Sequence, residues 1–179
     1  MQLKVYRTIE GVTEYWESWN ERGEAFVRSG KVGEKAEIRK YSMKDSRQAA
    51  EMIKEVERVE KSGFTPRNME DFVQIVIHYR LERWGSGQDH ERRVKIEDSM
   101  NECLTSTGLG YCDGGDIGSG TMNIFCEVVD AAVAERIIVG NLKDNGELEN
   151  AVIAKRERAG DDEYKVVWPK DFSGRFNLF

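Results

Sequence analysis

The feature that most constrains the fold of this chain is a break in its apolar pattern after the first helical segment. Gly63 suits the left-handed backbone conformation that ends a helix, and Pro66 cannot continue a helix. The apolar pattern then restarts at Phe72 with the alternation of a strand. Because each side of the break carries its own strands and helices, the sequence predicts two modules, residues 1–66 and residues 70–179.

The composition is that of a folded protein whose charge is unevenly distributed. Apolar residues make up 39% of the chain and charged residues 34%, which excludes a disordered protein. No apolar run approaches the roughly 20 residues of a membrane helix, and three cysteines without a repeated spacing indicate a reducing compartment. We therefore expect a cytoplasmic protein with no membrane partner. Residues 1–70 carry 14 Lys+Arg and 13 Asp+Glu, whereas residues 71–179 carry 13 and 20, so the second module favours a basic partner.

The first module combines short strands with one helix. Four segments within residues 3–42 alternate in polarity as strands do. Residues 46–63 then repeat apolar side chains at helical spacing, and Asp45 or Ser46 can cap the first turn of this helix.

Four stretches of the first module, "EYWESW", "VRSGKVGEKAE", the helix and the closing "KSGF", carry a resemblance to a known family. They resemble the WGR domain, a small sheet-plus-helix module of poly(ADP-ribose) polymerases and of many bacterial proteins. The family motif is Trp-Gly-Arg followed by Val-Gly; this chain has Ser29 and Lys31 in place of Trp and Arg, and keeps Gly30, Val32 and Gly33. Some members use this surface to contact DNA or other domains, so the resemblance implies nucleic-acid association as one alternative function.

A basic cluster in the first module is the candidate nucleic-acid contact. Its members are Arg28, Lys31, Lys35, Arg39 and Lys40. Interleaved Glu34 and Glu37 dilute its charge, and a lysine lacks the planar fork of the arginine in the family motif.

The second module has the element order of a known fold. Its strand patterns and helix patterns follow one another at residues 72–81, 90–108, 121–128, 131–146, 150–158 and 163–169. With the glycine segment before residue 121 as the first arm of a hairpin, this order predicts a ferredoxin-like antiparallel sheet with two helices on one face, and thus an α+β fold. Asp130 can cap the second helix. The "DGGDIGSG…MNIF" hairpin and the final "Y-x-V-x-W-P" strand also resemble a bacterial domain family that brings no activity with it.

The stretch "YCDGGDIGSGTMNIFCEV" decides whether the chain contains a ligand loop. A phosphate loop needs Lys where Thr121 stands, and it needs a helix afterwards rather than a strand. A calcium loop that starts at Asp113 meets Gly115, Ile117 and Ile124 where oxygen ligands are required. We therefore favour a β-hairpin in which "DGG" and "GSG" supply positive φ angles and a bulge. The alternative is a contact between a partner and the bare glycine backbone.

The sequence predicts no catalytic residue, metal site or cofactor. His78 and His90 have no Ser or Cys in a known nucleophile setting, and the cysteine spacing is unlike that of zinc sites. Asp113 and Asp116 fit a catalytic carboxylate pair, but turn formation also accounts for them.

A polar loop over residues 81–93 contains the candidate anchor for a protein partner, Trp84. The candidate steering charges are Asp113, Asp116, Asp161 and Asp162. We expect a non-catalytic bacterial protein that binds a basic protein partner, and an immunity factor that neutralises a toxin is the most specific form of this function. The alternatives are nucleic-acid association through the first module and an enzyme on the second, because fold does not decide function.

Overall fold

The structure is a computed structural model that describes residues 2–82, 84–157 and 163–178. The chain divides into two compact units, Met1–Asn68 and Met69–Phe179. Each unit builds its own antiparallel sheet, with four strands in the first and five in the second, and the described residues form three α-helices. The α+β fold class predicted from the sequence is confirmed.

The first unit is a sheet covered by one helix. Its strands pair antiparallel in the order β1-β2-β3-β4. The elements are β1 (Gln2–Ile9), β2 (Val12–Glu21), β3 (Glu24–Lys31), β4 (Ile38–Ser42) and α1 (Ser46–Lys61). Trp16 and Val27 of the sheet share an apolar core with Met52 and Val59 of α1, so the helix covers one face of this sheet.

Local sequence determines both ends of α1. The Asp45 carboxylate accepts hydrogen bonds from the backbone N–H groups of Arg47 and Gln48, and it thereby caps the first turn. At the other end, Ser62 is followed by Gly63 with φ of 77°, the left-handed conformation that commonly follows a helix. The Asp45 cap and the Gly63 end predicted from the sequence are confirmed.

The second unit is a five-stranded sheet with two helices. The strand order is β6-β7-β5-β8-β9, so β6 and β9 are the edge strands. After a 3-10 turn at Met69–Asp71, the elements are β5 (Val73–Arg80), α2 (Gly87–Ser106), β6 (Gly110–Gly118), β7 (Thr121–Val128), α3 (Ala131–Asp144), β8 (Val152–Glu157) and β9 (Lys165–Trp168). The first six of the strands and helices after the turn follow the βαββαβ order of the ferredoxin-like plan, and β9 adds a fifth strand.

Both helices of the second unit pack on the same face of its sheet. Arg92 of α2 lies over the Tyr79 ring at 4.5 Å, so Tyr79 of β5 points to this face together with Ile75 and Ile77, which alternate with it along the strand; all three are at most 1% exposed. Ser99 of α2 donates a hydrogen bond to the Asn141 side chain of α3 at 3.0 Å, which places the two helices side by side. The opposite face of the sheet carries the residues that alternate with this core. It is called the open face below because neither α2 nor α3 covers it.

Helix α2 begins earlier than the sequence pattern indicates. The polar residues before His90 were predicted to be loop, but the helix starts at Gly87. The Ser86 hydroxyl accepts a hydrogen bond from the Asp89 N–H, and the Asp89 carboxylate accepts one from the Ser86 N–H. This capping box compensates for the absence of apolar side chains in the first turn. Among the described residues, the polar loop around Trp84 is therefore limited to residues 81, 82 and 84–86.

Across the described residues, none of the helices combines the length and the apolar character needed to span a bilayer.

Candidate functional site

The glycine segment forms the hairpin β6–β7. Its two turn residues, Ser119 and Gly120, have φ of 53° and 79°, which is typical of the type I′ turns that join two strands. The strand register shifts between Cys112 and Gly115, and Gly114 within this shift has φ of 101°. The hairpin, the bulge and the positive φ angles at two of the four candidate glycines are confirmed.

Two glycines of β6 are required because the β7 backbone lies too close to leave room for a side chain, not because of their φ angles. A Cβ atom on Gly110 would lie 1.8 Å from the backbone oxygen of Glu127, and one on Gly115 would lie 2.4 Å from that of Asn123. A normal side chain at either position would therefore push β6 away from β7.

The outer edge of β6 is only partly occupied by the protein itself. Gly118 pairs with Thr121 beside the turn, so the backbone groups of Gly115 and Ile117 face away from β7. The Gly115 carbonyl accepts a hydrogen bond from Arg93 of α2 at 3.2 Å. For Ile117, no hydrogen bond to an outward-facing backbone group is found within the described ranges. The end of β6 near the turn therefore offers a free strand edge.

Trp84 lies in the loop before α2 and is exposed. Its side chain is 80% exposed, so it is not part of the core. The next residue, Gly85, has φ of 105°, and a Cβ atom placed on it would lie 2.4 Å from the Ile117 side chain. The backbone after Trp84 thus packs against the Ile117 side chain of β6, in the same strand as the free edge.

The acidic candidates are only partly brought together with Trp84. Asp116 is exposed and adjoins Ile117, the residue that Gly85 contacts, and Asp113 is exposed in the bulge of the same strand. Asp161 and Asp162 lie outside the described residues. Helix α2, which packs along β6, carries two more exposed carboxylates, those of Asp98 and Glu102.

The basic candidates of the first unit do not form one free patch. Side chains alternate along a strand, so Arg39 of β4 lies on the side of α1 whereas Lys40 lies on the opposite face. Lys31 and Lys35 are exposed. The other three pair with carboxylates: Arg28 with Glu17 at 2.8 Å, Arg39 with Glu55 at 2.6 Å, and Lys40 with Glu24.

Sequence reasoning missed the buried carboxylate of Glu55. It accepts hydrogen bonds from Trp16 Nε1 at 3.0 Å and from the Tyr41 hydroxyl at 2.7 Å, in addition to its pair with Arg39. Burial by itself raises the pKa of this carboxyl, but the two hydrogen bonds and the arginine outweigh burial and lower the pKa of Glu55. The sequence feature that could have predicted its burial is its position between Met52 and Val59 on the apolar side of the helix.

A second missed feature is a chain of polar side chains on the open face. The Asp116 carboxylate accepts a hydrogen bond from Asn123 Nδ2 at 2.8 Å, and Asn123 Oδ1 lies 2.7 Å from His78 Nδ1. Because an amide oxygen can only accept, this arrangement assigns the proton to Nδ1 of the imidazole. Burial lowers the pKa of His78, and the hydrogen bond to Asn123 offsets this only in part. For His78, considered from the sequence as an acid–base group, burial therefore favours the neutral form.

Gln74 and Glu127 form another buried pair on the open face. Gln74 Nε2 donates to Glu127 Oε1 at 2.9 Å, and Arg156 Nη2 donates to Gln74 Oε1 at 2.8 Å. Within the described ranges, no group of three or more His, Cys, Asp or Glu side chains is arranged to hold a metal ion.

Comparisons with protein-family models, with curated proteins and with solved structures found no match to this chain. The resemblances to the WGR domain and to a bacterial domain family therefore stay predictions from the sequence, as does the absence of catalysis.

Proposed function

We propose that this protein acts in the cytoplasm as a non-catalytic binding protein for a basic protein partner. The binding surface is the outer edge of β6 together with Trp84, Asp113 and Asp116. The observation that carries the proposal is the 80% exposure of Trp84 on a backbone that packs against Ile117. Tryptophan is one of the side chains enriched among the residues that dominate binding energy.

Two further properties of the same surface support a basic, extended segment as the part of the partner that docks here. The outward-facing backbone groups of Ile117 can pair with an added strand, and this type of pairing supplies affinity through main-chain hydrogen bonds. Asp113 and Asp116 are exposed along the same strand, where negative charge raises the association rate with a positively charged segment.

The test of this proposal is a comparison of Trp84→Ala with a matched control. The full-length protein is used as bait in a lysate, the captured protein is identified, and its dissociation constant is measured with purified components. We expect Trp84→Ala to weaken binding by at least about 2 kcal/mol, roughly thirtyfold in Kd, as truncation of a hot spot does. Ile53→Ala, at a 56% exposed apolar residue of α1, should leave Kd unchanged.

Thermal unfolding of both variants provides the necessary control. The melting temperature should match that of the wild type, because both side chains are largely exposed. An unchanged Kd for Trp84→Ala would place the interface elsewhere. Binding that disappears on nuclease treatment and on Lys31→Glu with Lys35→Glu would instead favour the nucleic-acid alternative.

A toxin-neutralising immunity role is one specific form of the proposed function. A gene for a basic toxin directly beside the gene for this protein would support that role. Co-expression should then abolish the toxicity, and Trp84→Ala should restore it.

A further inference from the structure

A polar pocket of about 360 Å³ opens at the end of β5 on the second unit. It lies between the β6–β7 turn and the segment near the end of the described chain. Its polar lining consists of two arginines, one imidazole, two hydroxyl groups and one amide, namely Arg80, Arg175, His78, Ser119, Thr121 and Asn177. A pocket of this volume is within the range of small-molecule sites.

The pocket is lined by two arginines, and the Asp116 carboxylate is linked to its His78 only through Asn123. Among its lining residues there is no Asp or Glu, and no described carboxylate lies within 4.0 Å of the guanidinium groups of Arg80 or Arg175. In the same unit other arginines are neutralised, as in the pairs Arg92–Glu147 and Arg93–Glu97. Two unpaired guanidinium groups in a unit whose sequence is strongly acidic form a local site for an anion.

The side chains around the two arginines are held in place. Phe176 packs edge-on against the His78 ring with centroids 5.3 Å apart, and the Leu178 carbonyl accepts a hydrogen bond from the Thr121 hydroxyl at 3.4 Å. These two contacts fix the segment that presents Arg175 and Asn177 to the pocket. On the other wall, the Leu81 N–H donates to the Gly120 carbonyl at 2.8 Å, which ties the turn to the end of β5.

We propose that this pocket binds the phosphate group of a small phosphorylated metabolite. Arg80 and Arg175 neutralise the phosphate, and the Ser119 hydroxyl and the Asn177 amide donate further hydrogen bonds. Arginine suits this role because its planar fork pairs with two phosphate oxygens at once. The site goes beyond the proposed function, since its charged side chains are opposite in sign to those on the β6 edge and suit a different ligand.

Titrations followed by amide NMR signals test the proposal with three probes at constant ionic strength. The probes are inorganic phosphate, glucose 6-phosphate and adenosine monophosphate, and glucose is the uncharged control. We expect saturable shifts at Ser119, Gly120 and Thr121 with the phosphate-containing probes and none with glucose. Tighter binding of one organic phosphate than of inorganic phosphate would identify the class of metabolite.

Charge-matched variants separate this pocket from general attraction of anions. Arg80→Gln and Arg175→Gln should each weaken binding by about tenfold or more, as loss of a charge-assisted hydrogen bond predicts. Arg136→Gln removes the same charge from an exposed position on α3, on the other face of the sheet, and should leave the affinity unchanged. An equal loss in all three variants, or the absence of saturable shifts with every phosphate probe, would overturn the proposal. Because the arginines of the pocket are exposed, the variants should keep the wild-type melting temperature.

Discussion

Glu55 illustrates how one buried carboxylate can stabilise the first unit. It is 5% exposed, and it joins Trp16 of β2 and Tyr41 of β4 to helix α1 through hydrogen bonds. Its pairing with Arg39 supplies the charge that a buried carboxylate needs. Each strand that it contacts is thus attached to the helix by a polar interaction as well as by apolar packing.

The lowered pKa of Glu55 predicts how the stability of the protein depends on pH. A carboxyl whose pKa is lower in the folded protein than in the unfolded chain stabilises the fold above its unfolded pKa. This contribution should be complete above the ordinary value of 4.5, and it should be lost as the pH falls through the folded pKa. The free energy of unfolding, measured by denaturant titration between pH 7 and pH 3, should therefore decrease at acidic pH.

Glu55→Gln isolates the part of this dependence that belongs to one residue. We expect the variant to lose about 1–3 kcal/mol at neutral pH, because it removes a charged acceptor from three donors. Its unfolding free energy should also decrease less than that of the wild type below pH 4.5. Parallel pH profiles for the two proteins would show that Glu55 makes no such contribution. Glu51→Gln is the control, since Glu51 is exposed on the same helix.

The number of residues between two interacting groups explains which interactions could be predicted from the sequence. The Asp45 and Asp130 caps were predicted because each carboxylate binds N–H groups two or three residues away. The bond between Trp16 and Glu55 spans 39 residues, so it depends on tertiary packing that no local pattern contains. The basic cluster was grouped by proximity in the sequence, whereas strand alternation and carboxylate pairing divide it.

Among the elements, the β6–β7 hairpin makes the strictest demands on sequence. Gly110 and Gly115 leave no room for a Cβ atom, since the β7 backbone lies in the way. Gly118 in the same strand is different, because a Cβ atom there would meet no atom within 4 Å. The strand therefore contains both required and replaceable glycines.

Gly110→Ala and Gly118→Ala are predicted to change the stability by very different amounts. We expect Gly110→Ala to lower the free energy of unfolding by at least about 2 kcal/mol, because overpacking against a backbone atom forces the strands apart. Gly118→Ala should change it by no more than about 0.5 kcal/mol. Chemical denaturation of the two variants checks both values. Equal effects would mean that close approach does not explain the glycine at position 110.

At the level of elements, the type of each segment was predictable and some boundaries were not. Alternation and helical spacing located the strands and helices of both units, and the glycine dipeptides located the hairpin. The start of α2 was missed because its first turn is polar and is stabilised by the Ser86–Asp89 capping box. The bond between His78 and Asn123 was missed because it requires the register of β5 against β7.

For the molecule as a whole, strand order determines which surface is available to a partner. Because β5 lies between β7 and β8, the hairpin places its first strand, β6, at the edge of the sheet. In the loop after β5, the Gly85 backbone that follows Trp84 packs against the Ile117 side chain of β6. The second unit thus has an exposed aromatic side chain in the loop before α2 and exposed carboxylates and a free strand edge on β6. Periodicity predicts the elements of this arrangement, but the packing of Gly85 against Ile117 required the tertiary structure.

Docking of a basic protein partner on the β6 edge and Trp84, as we propose, can be detected directly by amide hydrogen exchange of the complex. Exchange is compared for the free protein and for the protein saturated with its captured partner. We predict slower exchange in Gly110–Gly118, with the amide of Ile117 strongly affected, and in the loop around Trp84, because an added strand protects outward-facing N–H groups. Unchanged exchange in these two segments, with protection instead at residues 28–40 of the first unit, would contradict docking at the β6 edge.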